Sequence, residues 1–103
     1  MQRYSVQITR IAEADICKVF EYISRDNKSA AIRWVNEIER QIVTLENFPL
    51  SCQIIPEAQE LRGKYRHLIY GNYRTIFRVE ELYVIILRIM HSARLLDQQI
   101  LEK

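Results

Sequence analysis

The chain has 103 residues, 49% of them hydrophobic and 27% charged, with a net charge of +2. A chain of this size supports one small domain (1–103) with a single core, and its two Gly and two Pro leave little room for long disordered stretches. Two Cys and two His do not make a disulfide framework or a metal site, so no metal or cofactor is expected.

The opening MQRYSVQITR has no apolar signal-peptide core, and no apolar run approaches the ~20 residues of a membrane span. A cytoplasmic, reducing setting with no membrane contact is therefore expected. Charge is unevenly spread. Residues 60–94 carry seven Lys/Arg against three Asp/Glu, whereas residues 1–59 carry seven against eight. A basic surface facing nucleic acid or an acidic protein segment is one reading, and an ordinary solvated face is the other.

In chain order, Tyr4, Val6 and Ile8 alternate with polar residues, the period of a half-buried strand. A helix follows over about 11–25, with Ile16, Val19, Phe20 and Ile23 on one face. Asp26-Asn27-Lys28-Ser29 is a turn in which Asn27 or Ser29 caps the next helix, over about 30–47. That helix has Ala31, Val35, Ile38, Ile42 and Leu45 as its stripe and Trp34 at the margin, and Phe48-Pro49 ends it. Two such helices form an antiparallel hairpin that must bury its stripes on a sheet. Residues 50–64 read as irregular. Strands are predicted at 65–70, 73–79 and 82–90, the first pair turning at Gly71-Asn72.

Val84 to Leu87 is apolar on both faces, as a central strand must be. The predicted sheet therefore has four strands in the order 65–70, 73–79, 82–90, 4–9, with the helices on one face. If Glu80-Glu81 is the loop, Phe77 faces Val84 and Arg78 faces Tyr83 in a cation–π pair. Tyr73, Thr75, Phe77, Val79, Val84, Ile86 and Arg88 then lie under the helices. Arg74, Ile76, Arg78, Tyr83, Ile85, Leu87, Ile89 and His91 lie on the other side. A guanidinium inside a strand needs a partner or water, so that second face is expected to be open.

The order of strand, helix hairpin and three-stranded meander, with YRTIFRV at 73–79 and VIILRIMHSAR at 84–94, resembles the RelE/ParE superfamily of type II toxins. Ala12-Glu13-Ala14-Asp15-Ile16, Phe48-Pro49 and Glu60-Leu61-Arg62 add to the resemblance, which spans nearly the whole chain. It implies an α+β fold and a cognate antitoxin as partner. It also implies a target that is either DNA gyrase, inhibited without chemistry by ParE-like members, or mRNA on the ribosome, cleaved by RelE-like endoribonucleases. An inactive remnant that only binds its antitoxin is a third possibility. In the nuclease reading, Arg74 matches the sheet arginine that braces the phosphate, Arg66 or Lys64 adds a cation, and His91 exchanges a proton. Arg62, Arg66, Arg74, Arg78, His91 and Arg94 are the residues expected to meet target or antitoxin. His91-Ser92-Ala93-Arg94, with no Tyr or His after it, is more similar to the ParE-like branch, where His91 and Arg94 close the last strand.

Overall fold

A computed structural model describes residues 3–61 and 63–101. Strand β1 (Ser5–Ile8) leads into α1 (Arg10–Ser24) and α2 (Lys28–Thr44). After a short 3-10 turn come β2 (Gln53–Ile54), α3 (Ala58–Leu61), β3 (Arg66–Tyr70), β4 (Tyr73–Glu80), β5 (Tyr83–His91) and α4 (Gln98–Leu101). The sheet order is β1-β5-β4-β3-β2, with β1 parallel to β5 and the other pairs antiparallel. The four predicted strands are present in the predicted order. The correction is a fifth strand: the two residues of β2 pair with His67 and Arg66. A pairing that short has no alternation to read.

Local chemistry fixes the ends of the helices. The Thr9 hydroxyl accepts from the Ala12 N–H at 3.2 Å and caps α1. Asn27, not Ser29, caps α2, its side chain accepting from Ala30 N–H at 3.0 Å. The α2 stripe meets the sheet as its spacing demands, with Trp34 inside the core and not at its margin. In contrast, α1 buries Ala12 and Asp15 and leaves Ile16, Val19 and Ile23 partly buried against that core. Ala12, Trp34, Ile38, Ile42 and Leu45 pack with Phe77, Val84, Ile86 and Ile89 in one buried cluster.

The register of the β4–β5 hairpin differs from the expected one. Glu80 pairs with Tyr83, so the loop is Glu81-Leu82. Glu81 alone in it has a positive φ, 52°. Phe77 therefore faces Ile86, and Arg78 faces Ile85 instead of Tyr83. Further along, Ile76 pairs with Arg88 while Phe77 pairs with Ile86, which leaves Leu87 as a bulge. An extra residue exchanges the two faces for everything after it. Ile89, opposite Thr75, and His91, opposite Tyr73, thus turn to the helix side. Arg88, opposite Ile76, turns away from it.

The bulge sits where β1 gives out. β1 pairs with β5 only as far as Ile86. Beyond it, the Thr9 hydroxyl donates to the Leu87 carbonyl at 3.2 Å, and the Asp15 carboxylate accepts from Ile89 N–H at 3.0 Å. Helix α1 thus takes over from the missing strand, with a buried carboxylate in place of a strand carbonyl.

The sheet's second face is not open. Ile55, Leu61, Ile76, Met90 and Leu96 form another buried cluster there, with Tyr65, Ile100 and Leu101 packed around it. The segment around α3 and the chain after β5 make this cover. Both lack a sustained period, which is why the sequence reading leaves that face bare.

Candidate functional site

Directly paired residues in an antiparallel ladder share a face. Arg74, paired with Met90, therefore projects into the second cluster and is only 4% exposed. Its guanidinium donates to both oxygens of Glu57, at 3.2 Å to Oε1 and more closely to Oε2. It also donates to the Arg94 carbonyl at 2.9 Å and sits 3.3 Å from His67 Nδ1. Glu57 in turn accepts from Leu96 N–H at 2.8 Å. These bonds, with Arg74 foremost, hold the Glu57 carboxyl at about 2. Burial first, and then the Arg74 charge, push His67 below its ordinary range, which keeps its ring neutral.

Arg74 was expected to face a phosphate or a partner. The structure places it instead in a buried network that ties the chain after β5 to the sheet, with only its Nε lacking a partner among the described residues. Arg88 makes a second such clip. Its Nε and Nη2 donate to Asp15 at 2.7 and 3.0 Å, and its Nη1 donates to the Ile100 carbonyl at 3.3 Å. Sequence reasoning missed Glu57 and Asp15 as the partners. The available signal was the rule that a strand arginine demands a carboxylate, applied to acids far away in the chain.

The other candidates do not converge on Arg74. Arg66 pairs with Phe77, on the helix side, and donates to the Leu50 and Cys52 carbonyls at 3.3 and 2.6 Å. His91 is exposed on the helix side, where its ring meets Tyr73 edge to face at 5.6 Å. Its Nδ1 accepts from Ala93 N–H at 3.1 Å. Arg78 lies with Arg74 on the far face, half-exposed, 3.6 Å from Glu80. Lys64 and Arg94 are exposed. Arg62 lies outside the described residues. No group of three or more His, Cys, Asp or Glu among the described residues is arranged to hold a metal ion. No helix among them is long and apolar enough to cross a membrane.

Several surfaces remain uncovered. An apolar groove of about 480 Å³ runs between α1 and α2, lined by Ile8, Ile16, Cys17, Ile42 and Val43. An aromatic cleft of about 360 Å³ lies at the turn end of the helix hairpin, walled by Tyr22, Trp34, Tyr70 and Tyr73 with Arg33 beside them. β1 and β2 are the sheet's two edges.

This architecture is that of the RelE/ParE class of type II toxins. A chain of the chromosomal ParDE toxin–antitoxin system from P. aeruginosa superposes with a TM-score of 0.66 at 23% identity, over 86% of this chain and 96% of that one. A chain of the RelBE2 toxin–antitoxin complex from Mycobacterium tuberculosis does so with a TM-score of 0.63 at 25% identity, over 91% and 97%. No curated protein sequence matches significantly. The family model of the ParE toxin of the parDE type II toxin–antitoxin system matches residues 6–96, and the chain belongs to that family.

Proposed function

We propose that this toxin arrests growth by binding its target rather than by cutting RNA, that the target is DNA gyrase, and that a cognate antitoxin neutralises it. The observation that carries the reading is the dispersal of the nuclease candidates. In-line cleavage needs a base, a phosphate brace and an acid around one phosphodiester. Arg74 and Arg78 lie on one face of the sheet, Arg66 and His91 on the other. Arg74, the residue cast as the brace, is already neutralised by Glu57. Membership of the ParE family supports gyrase over the ribosome. An antitoxin is supported by that membership and by the two exposed sheet edges, whose unpaired N–H and C=O groups accept an added strand.

Purified protein added to a gyrase supercoiling reaction and, in parallel, to a translation reaction with mapped mRNA ends tests this. Inhibited supercoiling with intact mRNA is the expected result. New mRNA ends at the ribosomal A site with unaffected supercoiling would replace this reading with the endoribonuclease one.

A further inference from the structure

The aromatic cleft lies at the margin of the first buried cluster, takes no part in the Arg74–Glu57 and Arg88–Asp15 pairs, and is built from three separate elements. Tyr22 and Ile23 come from the last turns of α1, Ala30, Arg33 and Trp34 from the first turns of α2, and Tyr70 to Tyr73 from the β3–β4 turn. Tyr22 is 64% exposed although its ring is large and flat. Trp34 and Tyr73 meet edge to face at 5.5 Å, and His91 continues the series beyond Tyr73.

Trp34 is 6% exposed, and its indole N–H is buried with no acceptor among the described residues. An unmet buried donor costs about 1–3 kcal/mol, and phenylalanine at that position would avoid the cost. The cleft wall contains a guanidinium, Arg33, and no carboxylate. The nearest acid along that face of α2, Glu37, is held by Arg40. An exposed flat ring, Tyr22, beside a cation, Arg33, that has no carboxylate partner among the described residues calls for a ligand that is planar and anionic. A leucine or phenylalanine anchor from a partner protein would fill the space but would leave Arg33 unused.

We propose that this cleft binds a nucleobase of a single-stranded nucleic acid, stacked on the exposed Tyr22 ring beside the Trp34–Tyr73 pair, with its phosphate on Arg33. Aromatic stacking beside a cation is sequence-tolerant, so the site selects unpaired strand over duplex rather than one base over another. The inference stands on the cleft alone and holds whichever target the toxin has.

Trp34 is the only tryptophan in the chain and reports on the cleft directly. The test titrates the full chain at low salt with a short single-stranded oligodeoxythymidylate and follows tryptophan emission. Saturable quenching is expected. Tyr22→Ala should weaken binding about 5-fold or more, the loss of one stacked base contact. Arg33→Ala should lower the slope of log affinity against log salt by about 0.7, one phosphate's worth for a single strand. Both residues are exposed, so the fold should survive either change, as circular dichroism would verify. Lys18→Ala, an equal loss of charge elsewhere on α1, should leave affinity and slope unchanged. The proposal is overturned by three outcomes: no quenching, Lys18→Ala and Arg33→Ala weakening binding alike, or quenching by an acidic aromatic peptide but not by the oligonucleotide.

Discussion

Cutting either side of the Arg74–Glu57 pair leaves the other charge buried and alone. Arg74→Ala and Glu57→Ala should each destabilise the fold by about 3–5 kcal/mol, read as the shift of a urea unfolding midpoint. Replacing both by methionine should cost clearly less than the two single losses together, because no lone charge remains. The same pair sets acid sensitivity. Glu57 is held at about 2 by Arg74 against an ordinary 4.5. Its folded value lies below its unfolded one, so its contribution of about 2–4 kcal/mol is complete above pH ~4.5 and is lost as pH falls toward 2. His67 acts earlier. Burial and Arg74 lower it from 6.5, so the unfolded chain takes up a proton first and stability declines once pH drops below that value. Urea midpoints measured from neutral pH downward should fall in these two windows, and His67→Asn should flatten the first.

The helices and the sheet order are readable in the sequence because period and stripe reflect burial on one face. What escaped the reading came from substitutions of one kind of element for another. The bulge at Leu87 exists because α1 replaces β1 beyond Ile86, and no local pattern in VIILRIMH shows where a neighbouring strand stops. Asp15 makes that replacement work. Asp15→Ala should speed hydrogen exchange at the Ile89 amide far more than at its neighbours, whereas Asp15→Asn, which keeps an acceptor, should speed it less. The hairpin loop makes a second local test. Glu81 takes a left-handed φ of 52° at the first loop position, where a type II′ turn prefers glycine. Glu81→Gly should therefore stabilise the fold by about 0.5–1 kcal/mol, measurable as a raised melting temperature.

For the molecule as a whole, the family was legible and the site was not. Order and spacing of elements, with YRTIFRV and the HSAR ending, were enough for the family, and the match over residues 6–96 bears that out. The sequence points to Arg74 as part of a working surface because its partner, Glu57, sits in a loop remote in sequence, and it puts Arg88 beneath the helices because nothing local shows its partner, Asp15 of α1. Seen in the fold, Arg74 and Arg88 are clips. One donates to the Arg94 carbonyl and the other to the Ile100 carbonyl, so together they hold the end of the chain across the sheet. Surfaces open to partners lie elsewhere, on the helix hairpin and the two sheet edges.

Growth after induction of the Glu57→Met/Arg74→Met variant, beside the unaltered protein at equal soluble levels, bears most directly on whether the sheet arginine is structural. If Arg74 serves the fold alone, the variant still arrests growth. A soluble, folded variant whose cells grow normally would show that the guanidinium itself acts on the target.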